Sequence, residues 1–245
     1  MALRASVTDR KIDLPPLFTL VTLREIGDAF EHACKVAREA GAGTLVWTRR
    51  ADVAEFAVVL EPEEPLATAR RAFYAGMNAL ADTLANHAPP ERPITFDWPD
   101  AIRIDGVLVG GGRLGWPSVD EDHVPEWLVF SGTIRTTVMR AGEPGLRPLL
   151  GSLDEVGFEA IDSGEMLESF SRHLMAGFHD WREEGFDRVA IRWMKRLALD
   201  DSSRLTLDAR GDLVASGGIR AADMSLREAL ARPSWRDPAT GMPWL

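Results

Sequence analysis

The chain has 245 residues, 45% hydrophobic and 27% charged, which is ordinary globular usage and enough for one large core, or one core with a small appended domain. Its net charge of -10 opposes the basic surface that a phosphate backbone or an anionic bilayer attracts, so nucleic acid and membrane are excluded as partners. The lone Cys34 forms no internal disulfide, no apolar run spans a bilayer, and Met1 to Asp13 lacks the apolar centre of a signal peptide, so the expected location is cytoplasmic.

Leu17 to Leu23 reads as a first strand, and Glu25 to Ala40 as a helix whose Ile26, Ala29, Phe30, Ala33 and Ala37 share a face, ended by Gly41. Thr44 to Trp47 and Glu55 to Leu60 follow as strands, the second apolar on both faces and therefore central. Pro65 opens a long helix with Ala69, Phe73, Met77, Leu80 and Leu84 at helical spacing, closed by Pro89-Pro90. Next comes Phe96-Asp97-Trp98-Pro99-Asp100, then two short arms, Ile102 with Ile104 and Val107 with Val109, joined by Asp105-Gly106. An Asp-Gly pair between alternating branched residues predicts a two-residue hairpin turn, and Gly110-Gly111-Gly112 follows it.

Trp127 to Val138 is the next predicted strand, and Gly142 to Gly151 a loop rich in glycine and proline. Asp162 and Glu165 form a capping box for a helix carrying Met166, Phe170, Leu174 and Phe178. Gly185 interrupts it, and Val189 to Leu197 continues as a second helix. Past the solvated link Asp200-Asp201-Ser202-Ser203, Leu205 and Leu207 alternate, Arg210-Gly211-Asp212 turns, and Leu213 to Ala215 returns. The division expected is residues 1–198 and a small β-rich unit, 199–245.

The Trp98-Pro99 pair, the hairpin and the glycine after it resemble the central motif of the biotin/lipoate protein ligases, and the order of elements over residues 17 to 198 is similar to theirs. In that family Lys-Trp-Pro-Asn-Asp precedes the hairpin, the second arm carries an essential lysine, and Ala-Gly-Ile follows. Trp98, Pro99 and Gly111 match; Asp100 stands for the asparagine, Ala101 for the aspartate and Leu108 for the lysine. The resemblance implies an α+β fold, a mixed β-sheet backed by helices with a small C-terminal β-rich unit. It also implies ATP with magnesium and biotin or lipoate as ligands, and an acyl-carrier, biotinyl or lipoyl domain as acceptor.

Forming an acyl adenylate requires cations that spread the charge of phosphate and acid, and a pocket that excludes water. The family places a Gly-Arg-Gly-Arg loop between its early strands; here that connection is Thr48-Arg49-Arg50-Ala51-Asp52-Val53, with two arginines and no glycine. Arg49 and Arg50 either keep an anion-binding role or face solvent. Arg103 and Arg113 are the other cations within reach of the motif, and Arg103 falls on either face of the hairpin by alternation alone. Lysines occur only at Lys11, Lys35 and Lys195, so any catalytic lysine must be one of these.

The candidate ligand-binding set is Arg49, Arg50, Trp98, Pro99, Asp100, Arg103, Leu108, Gly110, Gly111, Gly112 and Arg113, with no catalytic residue assigned and no metal site. Gly110 to Gly112 either lets a ligand approach the backbone or marks a bulge. Two functions remain open. One is a protein that binds biotin, lipoate or a similar acid or its adenylate, with weak or absent ligase activity; the other is an active ATP-dependent ligase or acyltransferase that uses arginines instead of the lysine.

Overall fold

The computed structural model describes residues 11–138, 149–198, 205–215 and 224–244. Nine strands and six helices are assigned among them: β1 (Thr19–Leu23), α1 (Ala29–Ala40), β2 (Thr44–Thr48), β3 (Val53–Leu60), α2 (Leu66–Ala69), α3 (Ala72–Ala85), β4 (Ile94–Asp97), β5 (Ala101–Ile104), β6 (Val107–Gly115), β7 (Leu128–Arg135), α4 (Ser163–Glu184), α5 (Phe186–Met194), β8 (Leu205–Leu207), β9 (Leu213–Ala215) and α6 (Leu226–Leu230). Seven strands form one sheet in the order β1-β2-β3-β7-β6-β5-β4, with β1 parallel to β2 and the other pairs antiparallel. This is the expected mixed α+β sheet. Strands β8 and β9 make the small separate hairpin expected near the C-terminus.

Each face of the sheet buries a different set of residues. On one, Phe56, Ile102, Ile104, Phe130 and Ile134 meet Phe73, Met77 and Leu80 of α3 and Met166 and Phe170 of α4, forming the main core. On the other, Ala29, Ala33 and Ala37 of α1 lie on Val46, Ala57, Val59 and Val129. Small residues on α1 permit that close approach. The strand β3 is covered on both sides, which is why its sequence is apolar throughout except at Glu55.

Local chemistry sets the helix ends. The expected start at Glu25 moves to Ala29 because Asp28 is the cap, its carboxylate accepting from Glu31 N at 2.9 Å. Asp162 caps α4 by accepting from Gly164 N at 2.7 Å. The helix expected from Pro65 is two helices. At Arg70 and Arg71 the bonds shorten to the three-residue pattern, Phe73 N to Arg70 O and Tyr74 N to Arg71 O, both 3.0 Å. Arg70 turns away there to fork onto Glu121 at 2.9 and 2.5 Å.

The hairpin forms as read: Ile104 pairs with Val107 across Asp105-Gly106, both residues of the turn having positive φ. One irregularity lies between Ile102 and Arg103, where the register shifts and Ile102 pairs with Gly110. The predicted strand ending at Val138 closes at Arg135. The loop residues 142–148 and the link Asp200 to Ser203 lie outside the described residues, as do Met1 to Arg10.

The later segments pack onto the sheet domain's own core. Tyr74 Oη donates to Gly211 O at 2.5 Å, and Leu213, Leu226 and Leu230 join the main cluster. Residues 234–244 cross the far face of the sheet beside α1, which determines the shape of the site.

Candidate functional site

A cavity of about 170 Å³ lies on the α1 face of the sheet. Its floor is Glu55 of β3, Ser131 and Thr133 of β7, and Arg113 of β6; these share a face because residues two apart on a strand point the same way. Gly27, Asp28 and Phe30, at the start of α1, form one wall, and Arg50 of the β2–β3 connection closes an end. The roof is Arg236, Thr240, Gly241 and Met242.

The roof is fastened at several points. Trp235 is buried against Ala101 and Leu108 with Leu150 beside it, and its Nε1 donates to Gly112 O at 3.0 Å. Ser234 donates to both Asp100 oxygens, from N at 3.0 Å and from Oγ at 2.7 Å. Arg135, itself buried, donates from Nη2 to Pro243 O at 2.5 Å. Within the segment, Asp237 N bonds Met242 O and Gly241 N bonds Asp237 O, both 2.8 Å, so it folds as a compact turn.

These contacts place each residue of the candidate set. Arg50 and Arg113 line the cavity. Arg49 lines a separate, open concavity with Leu23 to Ile26, its guanidinium 5.7 Å from the Trp47 ring. Trp98 packs on the main core and Pro99 is buried. Arg103 shares its face with Ala101 but pairs with Asp97 at 2.7 Å and donates to Gly106 O and Leu149 O. Asp100 and Leu108 lie under the Ser234-Trp235 step.

The glycine run is held from both sides. A Cβ on Gly111 would stand 2.1 Å from Asp100 O and 2.3 Å from Trp235 Cδ1; one on Gly112 would stand 2.6 Å from Met77 Sδ. The close approach that glycine permits here is taken by the chain's own indole. Reasoning from the motif alone missed Glu55, Ser131, Thr133 and Arg236. A carboxylate inside an otherwise apolar strand, and two hydroxyl residues spaced two apart, were the available signals for the first three; nothing local marks Arg236.

The cavity's electrostatics follow from burial. Desolvation raises the Glu55 carboxyl above its ordinary value although Ala29 N donates to it at 2.7 Å at the start of α1. Arg113 lies over Phe30, its Cζ 3.7 Å from the ring centroid, and pairs with Glu31 at 3.2 Å. Desolvation, then the charge of Arg236, lowers its proton affinity. Arg50 is held by a two-pronged contact to Asp52, at 3.2 and 2.9 Å, which raises its proton affinity. Cys34 is pushed up to about 12, chiefly by burial, and stays a thiol at neutral pH.

The group a ligase would hold fits this cavity poorly. Ligand pockets for drug-sized molecules run from about 300 to 1,000 Å³, so an acyl adenylate exceeds the space enclosed here. Leu108 supplies no cation and is covered by Trp235. All three lysines are exposed and none lines the cavity. Among the described residues no cluster of His, Cys, Asp or Glu could hold a metal ion, and no helix is long and apolar enough to cross a membrane.

Comparison with known proteins supplies the lineage. No curated protein sequence matches the chain. Among solved structures, a biotin protein ligase-like protein of unknown function from Silicibacter sp. TM1040 superposes with a TM-score of 0.72 at 27% identity, over 84% of this chain and 93% of that one. The biotin protein ligase of Aquifex aeolicus gives 0.61 at 15% identity, over 81% and 91%. The same Aquifex enzyme in complex with biotin and ATP gives 0.58 at 15% identity, over 82% and 99%. The family model described as the biotin/lipoate A/B protein ligase family matches residues 14–195, most of the sheet and its helices. The chain belongs to the biotin/lipoate A/B protein ligase family.

Proposed function

We propose that this family member binds a small carboxylic acid, of the class that includes biotin, lipoate and shorter acyl acids, with weak or absent ligase activity. The observation that carries this reading is the Leu108–Trp235 cluster: Leu108, which by resemblance stands where the family has its lysine, is apolar, buried and packed with the chain's own indole. A preorganised cation on developing charge is worth roughly a hundredfold to a thousandfold in rate, and leucine contributes none. The short Arg49 to Asp52 connection carries no glycine, which leaves little backbone freedom to enclose a phosphate. Arg113 and Arg50 keep positive charge at the cavity, which suits an acid.

The second reading, an active ATP-dependent ligase that modifies a carrier domain, draws on the same arginines. It requires ATP with magnesium to enter a cleft that is too small as it stands. Incubating the purified protein with ATP, magnesium and biotin, lipoate or octanoate, with and without a biotinyl or lipoyl domain, separates the two. We expect no acyl adenylate, no pyrophosphate release and no labelled carrier by mass spectrometry. Stoichiometric acyl transfer by the unmodified protein would refute the preferred reading.

A further inference from the structure

Arg236 reaches the cavity from a part of the chain remote from the family motif and beyond the residues that the family model matches. Its Nε donates to Gly241 O at 2.7 Å, which stiffens the side chain against its own turn. Its Nη2 lies 3.7 Å from Asp28 Oδ2, and Arg113 Nη1 lies 4.0 Å from that same oxygen. Two guanidiniums therefore converge on one carboxylate oxygen, neither within hydrogen-bond distance of it. Asp28 offsets part of their mutual repulsion from this distance, and Arg113 Nη1 and Arg236 Nη2 keep donors directed at the cavity that a second carboxylate can engage.

The floor beneath carries a second, independent mark. Ser131 and Thr133 line the cavity with exposures of only 1% and 7%, and neither hydroxyl has a hydrogen-bond partner among the described residues. Their hydroxyls open onto the cavity rather than lying sealed in the core. Two hydroxyls on one face of β7, engaged by no protein group among the described residues, present donors and acceptors to whatever enters the cavity. Together with the two guanidiniums they surround a volume suited to a compact molecule.

We propose that Arg236 is a ligand-binding residue: with Arg113 it clamps the carboxylate of a compact acid while Ser131 and Thr133 bond the remainder, so that residues 234–244 complete the site. This rests on the acid-binding reading above and adds to it a size limit and a residue. The segment is then part of the recognition surface, and its Asp100 and Gly112 anchors set where the Arg236 guanidinium sits.

Calorimetric titration of the full chain with succinate, glutarate, octanoate and biotin tests this. We expect succinate or glutarate to bind more tightly than biotin. Arg236→Gln should weaken that binding by roughly ten- to a hundredfold, the range for a hydrogen bond to a charged group, and Arg236→Lys should recover part of it. Arg38→Gln, which removes an equal charge from an exposed site paired with Glu126, should change nothing. Amide exchange across residues 235–242 should slow when the acid binds. Equal affinity in wild type and Arg236→Gln overturns the role of Arg236 while leaving the acid-binding reading intact. Failure of all four acids to bind overturns both.

Discussion

Gly111 shows how one residue can be legible in its type and illegible in its purpose. A glycine after a hairpin that matches a ligand-binding motif suggested room for a ligand, and the room exists, but Trp235 fills it. Nothing in the sequence near position 111 announces a partner 124 residues away, because the contact depends on how the whole chain is threaded. Replacement by valine would drive a methyl-bearing carbon into Asp100 O and the indole. We expect Gly111→Val to destabilise the fold by about 2 to 4 kcal/mol, measured by urea unfolding, with faster amide exchange at residues 234–236. Unchanged stability would mean that the indole is not seated there.

Asp100 gives a pH-dependent outcome. It is 1% exposed, and burial lifts its carboxyl to about 6, against the downward pull of the two Ser234 hydrogen bonds and with a further upward push from Asp97. The folded state thus holds the proton more tightly than the unfolded chain, whose carboxyl stays near the ordinary value. Stability from this group is complete below about pH 4 and is lost as pH rises through about 6. Subtracting the melting profile of Asp100→Asn from that of wild type between pH 4 and 7 isolates it, since Glu55 and the other carboxylates are common to both. The difference should fall with pH; a flat difference would show that Asp100 is solvated.

At the scale of elements, residues read in isolation served well where the physics is local. Strand alternation, the Asp-Gly turn and the Asp162 cap each depend on a few neighbours, and each formed where expected. The division of the Pro65 helix did not show: the backbone tightens at Arg70 and Arg71 without leaving helical angles, and the Arg70 contact with Glu121 beside it joins distant segments. The hairpin turn offers a clean local measurement. Gly106 has φ +80, and a Cβ there would meet nothing within 4 Å, so Gly106→Ala isolates backbone strain from packing. About 1 kcal/mol of destabilisation is expected, read as a shift in urea midpoint at constant slope.

At the scale of the molecule, the mixed sheet and its backing helices were legible by resemblance, and the family model matches the same stretch, whereas the strand order was not read from the sequence. The site was legible only in part. Arg50 and Arg113 were among the candidates, whereas the other ten lining residues come from segments that no motif links. Removing residues 233–245 tests how separable the roof is. The main core contains neither Trp235 nor any later residue. The shortened chain should therefore keep its far-ultraviolet dichroism and unfold cooperatively at lower urea. It should also self-associate through the uncovered Ala101 and Leu108. Complete loss of folded signal would show that the roof is part of the folding nucleus.

The position of Trp235 has a consequence for the order in which the protein is made. Domains begin to fold during synthesis, amino-terminal parts first. The last strand of the main sheet ends at Arg135, whereas the indole that covers β5 and β6 is residue 235, so one hundred residues are polymerised between them. Until residue 235 is added, the Ala101 and Leu108 surface lacks the indole, with Leu150 beside it as its partial cover. A nascent chain on the ribosome therefore presents an apolar patch that the finished protein hides, at the moment when chaperones and other nascent chains are nearest.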